Sequence, residues 1–218
     1  MTPSITTISF KAAGGNNGDL LELSGLGAQR VSMTEPAGFE MARSGRTACG
    51  GITLIAGGIV PVVDLPTTTG PLVLFNSSLS GDGRKVLAVK RISMAYASGT
   101  LGAYGTTLFA GVTPNVLATP LTANGATNFR TGFMRGYGTP VGFIDVAKTI
   151  PAGTPWVTLG GIAHGAATTT SIGYSVDLSA SPFIVPPLFA LTVGAFGDTG
   201  TTAKWVFSLI WDEIEAAL

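Results

Sequence analysis

The sequence is poor in charged residues and almost devoid of cysteine and histidine. Asp, Glu, Lys and Arg make up 11% of its 218 residues, against roughly 25% in an ordinary soluble domain. Neither residues 92–129 nor residues 149–176 contain a single charged side chain. Because surface charge opposes association, so neutral a chain favours a protein whose exterior is largely covered by partners.

The basic residues are too few and too scattered to indicate a nucleic-acid-binding protein. The net charge is +0, and the basic clusters are the pair Arg43 and Arg46 and a short group in residues 84–91. Duplex binding depends on several phosphate contacts from one concentrated basic face. We therefore expect no direct nucleic-acid ligand.

A single cysteine, Cys49, excludes an intrachain disulfide. The first residues lack the basic start and apolar run of a signal peptide. The apolar run 52–63 and the uncharged run 178–197 are both interrupted by proline, which argues against transmembrane helices. These features predict synthesis in a cytoplasm and no membrane partner.

The residues that usually carry catalysis do not form a recognisable motif. His164, the one histidine, lies in a glycine-rich segment with no metal ligand at suitable spacing, and we expect a solvent-exposed loop residue. A nucleophile elbow and a phosphate-binding glycine loop are both missing from the sequence. We therefore predict no enzyme activity, no catalytic residue, no cofactor and no metal. Tyr104, Phe129 and Tyr137 lie near predicted loops, where they could form a sugar-stacking platform.

Short β-branched and aromatic runs separated by turn residues are typical of an all-β sandwich or barrel. Glycine (31) and proline (13) supply many of the turns. The core pattern predicts strands at 52–56, 59–63, 72–75, 85–96, 106–112, 133–137, 141–146, 156–159, 171–178, 183–185, 188–195 and 204–211. We count eight or nine of these candidates as core strands. This predicts an eight- to nine-stranded jelly-roll β-sandwich in residues 51–218, with connections long enough for Greek-key crossings.

The segment 204–211 has the clearest alternation. Trp205, Phe207, Leu209 and Trp211 share one parity, as expected of a strand with one buried face. Aromatic residues bury the largest areas, so we predict a central strand. Along 85–96 one mostly apolar parity is predicted to face the core throughout. The acidic residues 212–215 are predicted to leave the sheet as one helical turn.

Residues 1–50 lack the periodicity of the rest and are predicted to form an extended N-terminal arm with little regular structure. The arm is either loosely docked or ordered against a neighbouring subunit. We predict that partner contacts lie in this arm rather than in the strands. The candidate interface residues are Leu20, Leu21, Leu23, Arg30, Phe39, Arg43 and Arg46.

Segments 183–191 (FIVPPLFAL) and 206–213 (VFSLIWDE) resemble the closing strands of jelly-roll virion proteins from tailed bacteriophages. Segments 65–76 and 83–87 resemble the opening of the same domains. The similarity spans roughly residues 60–215 and rests on the general residue pattern rather than on one diagnostic motif. It implies a non-enzymatic protein of the capsid exterior, which cements the head as an oligomer, commonly a trimer, bound to the major capsid protein.

Two alternatives belong to other classes. The first is a phage fibre, tail or adhesin domain that binds host-surface glycans through exposed loop aromatics. The second is a polysaccharide hydrolase or lyase, which would need two carboxylates facing each other across a cleft. The candidate carboxylates are instead predicted to be surface residues at turns and strand ends, namely Asp64, Asp82, Asp145, Asp177 and Asp198.

Overall fold

The computed structural model describes residues 45–52, 58–78, 84–114, 140–165, 171–198 and 202–215, together with the backbone of 22–23, 29–30 and 127–128. The chain divides into two units, Met1–Glu40 and Met41–Leu218. In the first unit, strand β1 (Glu22–Leu23) pairs antiparallel with β2 (Gln29–Arg30). The second unit contains the other strands of the described residues.

The second unit consists of two antiparallel sheets, which confirms the all-β prediction. Its strands are β3 (Thr47–Ile52), β4 (Thr69–Asn76), β5 (Lys85–Ser98), β6 (Thr106–Thr113), β7 (Thr127–Asn128), β8 (Gly142–Thr149), β9 (Val157–Ile162), β10 (Gly173–Asp177), β11 (Phe183–Val185), β12 (Ala190–Gly197) and β13 (Lys204–Glu215). The six-stranded sheet has the order β10-β5-β13-β3-β7, with β11 also paired to β5, and the five-stranded sheet has the order β8-β4-β12-β6-β9. Strand β3 starts at Thr47, inside the segment that the sequence assigns to the arm.

Strand β13 is central, as predicted, because it pairs with β3 on one side and with β5 on the other. Its alternating residues Trp205, Phe207, Leu209 and Trp211 are buried between the sheets. The prediction that residues 212–215 leave the sheet is wrong, since β13 continues to Glu215 opposite Lys85. The physical reason is that both acidic side chains at 212 and 213 find partners there.

A β-bulge in β5 overturns the prediction of one continuous apolar parity. Ile210 pairs with Arg91 and Trp211 pairs with Val89, so Lys90 is an extra residue on β5. An extra residue reverses which parity faces the core. Buried residues therefore change parity across the bulge, from Leu87 and Val89 to Ile92 and Met94.

Residues 150–156 cover the outer face of the five-stranded sheet. They connect β8 and β9, the two edge strands of that sheet, which lie four strand spacings, or roughly 19 Å, apart. Ile150 packs there against buried Val73 and Ala190. Trp156 stacks edge-to-face on Phe109 at 5.1 Å between ring centroids.

Residues 58–63 join the two sheets at one end of the sandwich. Ile59 exchanges both backbone hydrogen bonds with Trp205 of the six-stranded sheet, each 2.8 Å long, and Val62 donates to Ala195 of the five-stranded sheet at 2.8 Å. The predicted strand 59–63 therefore forms only two isolated bridges. Pro61, between them, has no N–H to offer a continuous ladder.

Other sequence predictions lie outside the described residues, namely the strand 133–137 and most of 52–56. No helix long and apolar enough to cross a membrane occurs among the residues that are described.

Candidate functional site

The two ends of the sandwich differ in what they present. We call the loops at 58–68, 99–105, 163–165, 198 and 202–203 the neutral end. Among these loop residues Asp64 and Asp198 are the only carboxylates and no Lys or Arg occurs, while exposed Lys204, the first residue of β13, adjoins them. We call the set Thr47, Asn76, Ser78, Lys85, Lys90, Asp212 and Glu213, at the opposite end of the strands, the ionic end.

The loop 99–105, between β5 and β6, is braced along its length. The Tyr96 hydroxyl donates to the Gly99 carbonyl at 2.6 Å. The Thr100 amide donates to Thr202 Oγ1 at 3.0 Å, and the Thr202 amide donates back to the Thr100 carbonyl at 3.1 Å. Gly99 has φ 97° and Gly105 has φ 108°, values that favour glycine. Both termini of the loop are therefore fixed.

His164 holds the middle of this loop. Its Nδ1 donates to the Gly102 carbonyl at 3.1 Å, and its Nε2 lies 2.8 Å from Thr106 Oγ1. The imidazole ring also lies 6.4 Å from the Trp205 ring, measured between centroids. The prediction of a solvent-exposed loop histidine is thus wrong: His164 is half-buried and links β6, β9 and the loop.

Tyr104 projects from the braced loop and is 87% exposed. The Ala103 amide beside it points to Asp198 Oδ2 at 3.4 Å. Four further apolar side chains at this end are also exposed: Val60 by 45%, Val63 by 46% and Leu65 by 41% in the loop 58–68, and Phe196 by 41% at the adjoining end of β12. Exposed apolar groups that cluster in one region mark interaction surfaces more often than isolated ones do.

Glu213 ties three segments together at the ionic end. Its side chain is 6% exposed, and Oε1 accepts from the Val141 and Gly142 amides at 2.7 and 3.2 Å. Its Oε2 lies 3.6 Å from Lys85 Nζ. Its own amide donates to the Arg46 carbonyl at 2.8 Å. A buried carboxylate with this many partners serves to stabilise the fold rather than to bind a ligand.

Asp212 and Asn76 complete this network. Asp212 Oδ1 accepts from Thr47 Oγ1 at 2.5 Å and lies 2.8 Å from the Nζ of Lys90, the bulge residue. Buried Asn76 donates from Nδ2 to the carbonyls of Lys85 and Val185 at 2.8 and 2.9 Å. Together they join β3, β4, β5, β11 and β13.

The predicted interface residues are only partly described. Leu23 and Arg30 lie in the paired strands β1 and β2, and Arg46 is exposed just before β3. Leu20, Leu21, Phe39 and Arg43 lie outside the described residues, so the arm interface stays a prediction.

The aromatic and acidic candidates have mixed outcomes. Tyr104 is exposed, whereas Phe129 and Tyr137 lie outside the described residues. Asp145 is not a turn residue but lies within β8, with Oδ2 2.5 Å from Lys148 Nζ. Within the described part of the chain, no three His, Cys, Asp or Glu side chains meet in a group that could hold a metal ion.

Comparisons of this chain with protein-family models, with curated proteins and with solved structures gave no match. What the chain does must therefore be argued from its own fold and surface.

Proposed function

We propose that this chain is a jelly-roll structural protein of a virus particle that decorates the capsid exterior. It assembles as a homo-oligomer, for which we expect a trimer, and bridges neighbouring subunits of the major capsid protein. It is made in the host cytoplasm, contacts no nucleic acid directly and performs no catalysis. Its action is mechanical, because pressure inside the head must break its contacts as well as those of the shell.

The observation that carries this proposal is the strand order. Along the chain, strands β3, β4, β5, β6, β9, β10, β12 and β13 lie as β10-β5-β13-β3 in one sheet and as β4-β12-β6-β9 in the other. Every connection among them changes sheet except that from β6 to β9. This strand order supports the jelly-roll part of the proposal, because the jelly rolls of viral capsid proteins combine two Greek keys in eight strands. The remaining strands β7, β8 and β11 extend the sheets.

The neutral end supports the assembly part of the proposal. Its described loops combine exposed apolar side chains with very few charges. Such a surface has little charge to desolvate on association. The placement on a capsid comes from the similarity of segments 183–191 and 206–213 to phage virion proteins, and the fold is compatible with it.

The test is binding of the purified full-length protein to capsids that lack it. We expect the protein to co-sediment with them to saturation, and its native mass by light scattering to be near three times 22.1 kDa. Protein that stays in the supernatant at every concentration would refute the decoration role. A stable monomer would refute the trimer.

A second candidate is a fibre or tail domain that binds host glycans. Tyr104, which is 87% exposed, favours it, since an open aromatic face can stack on a sugar ring. Binding on a glycan array that Tyr104→Ala abolishes would support this candidate, and an array without signal would count against it.

A further inference from the structure

We infer that Tyr104 is the anchor by which the neutral end docks into a non-acidic, apolar pocket on the shell protein, and that His164 is the residue that positions it. This inference rests on the proposed decoration function and names the part of the surface that performs it. Its basis is the contrast between the fixed loop backbone and the open side chain.

The loop 99–105 is ordered before any partner binds. Tyr96, Thr202 and His164 hold its backbone at Gly99, Thr100 and Gly102, and Leu101 is buried. A contact residue on a fixed backbone loses less conformational entropy on binding than one on a mobile loop. A tyrosine adds a large contact area with only two side-chain torsions to fix.

The surroundings of Tyr104 indicate what it binds. The other exposed side chains of this end include Val60, Val63 and Phe196, which suit an apolar protein surface. A sugar would need several converging polar groups, whereas the neighbouring carboxylate of Asp198 already faces the Ala103 amide. The described loops of this end hold two carboxylates, Asp64 and Asp198, and one basic residue, exposed Lys204, adjoins them at the start of β13. Because negative charge is in excess, we infer that the pocket that receives Tyr104 is not acidic.

The first experiment measures the affinity of the full-length protein for shells assembled from the major capsid protein alone. Tyr104→Ala is expected to raise the dissociation constant by about 30-fold, the effect of a central aromatic anchor. Tyr104→Phe keeps the ring and is expected to lose less. The matched control is Ile184→Ala in β11, because Ile184 is 48% exposed and lies near the ionic end. It should leave the affinity unchanged.

The outcomes separate this inference from the function on which it rests. If the unmodified protein does not bind the shells, the decoration role fails and the anchor fails with it. If it binds and Tyr104→Ala binds equally well, only the anchor is overturned. A change in native mass caused by Tyr104→Ala would make a second copy the occupant. Glycan binding that depends on Tyr104 would make a sugar the occupant. Either result overturns the proposal that Tyr104 enters a pocket of the shell protein.

The positioning role of His164 is tested by a double-mutant cycle. His164→Ala is expected to weaken shell binding by about tenfold in the unmodified protein and to have no effect when Tyr104 is already alanine. A histidine that only stabilises the fold would give the same loss in both backgrounds, and this result would overturn the role. Thermal unfolding of each variant confirms that folded proteins are compared. Tyr104→Ala should unfold at nearly the same temperature as the unmodified protein, as expected for a substitution at an exposed site.

Discussion

The two ends of the sandwich are built from the same strands but are stabilised differently. At the ionic end, Glu213, Asp212 and Asn76 bond to groups from several strands while buried. At the neutral end, a lone imidazole and a few hydroxyls hold a loop from which the ring of Tyr104 projects. The polar groups of the ionic end therefore stabilise the fold. The side chains of the neutral end are under less structural constraint and can form a binding surface.

Strand β13 shows how one segment serves both ends. It begins at the neutral end, where Trp205 lies beside Tyr96 and His164. It finishes at the ionic end, where Trp211 is followed by the two buried acids. Changes to the groups around this strand should therefore differ in kind: loss of the buried acids at the ionic end should lower stability, and changes to the exposed loop side chains at the neutral end should affect binding.

The largest effect on stability is expected from Glu213→Ala. It leaves the amides of Val141 and Gly142 without their acceptor in a buried site, and losses of this kind cost about 3 kcal/mol. Urea denaturation measures the free energy of unfolding. Glu213→Gln keeps one acceptor oxygen and should lose less. Equal stability of the alanine variant and the unmodified protein would contradict the role of this end.

A second comparison uses one glycine from each end. A Cβ at Gly142 would lie 2.8 Å from ring atoms of buried Trp211, whereas a Cβ at Gly165 would meet nothing within 4 Å. Gly142→Ala should therefore lower the free energy of unfolding by about 2 kcal/mol through overpacking. The matched Gly165→Ala should change the free energy of unfolding by no more than about 0.5 kcal/mol. Thermal unfolding distinguishes the two variants. Equal losses of stability at both positions would contradict the difference in packing between the two glycines.

His164→Ala tests how much the neutral end contributes to the fold. It removes hydrogen bonds to the Gly102 carbonyl and to Thr106 at a half-buried site, so we expect a loss of about 1 kcal/mol. His164→Gln can both donate and accept and should recover part of it. A loss as large as that of Glu213→Ala would mean that the ends do not differ as described.

The smallest effect concerns an exposed acid near the ionic end. Hydrogen bonds from the Ser179 side chain and amide, helped by Arg91 and Lys90, lower the pKa of Asp177. A lowered pKa stabilises the folded state above the unfolded pKa of about 3.9, and this contribution is lost as the pH falls through the folded value. Asp177→Asn should flatten the decline of the melting temperature below about pH 4, but only slightly. If the pH profiles of Asp177→Asn and the unmodified protein are identical, Asp177 does not contribute to the pH dependence of stability.

The sequence predicts best where the signal is local. The alternation of Trp205, Phe207, Leu209 and Trp211 needs no information beyond the segment itself, and β13 is central as expected. The exposure of Tyr104 is likewise consistent with its glycine-rich neighbourhood. Turn residues and β-branched runs placed most other strands to within a few positions.

The sequence predicts least where partners are distant. The acids after Trp211 stay in the sheet because Asp212 bonds Thr47, 165 positions away. His164 is held by Thr106 and Gly102, 58 and 62 positions away. The bulge at Lys90 was hidden because both parities of that segment are largely apolar, so neither one marks the face that is buried.

The most direct test of this account is hydrogen exchange of the full-length protein, free and bound to shells of the major capsid protein. We expect slower exchange on binding in peptides that contain residues 99–105, and no change in residues 209–215 of the ionic end. Protection confined to the ionic end would contradict it, as would exchange that is the same everywhere in the free and bound protein.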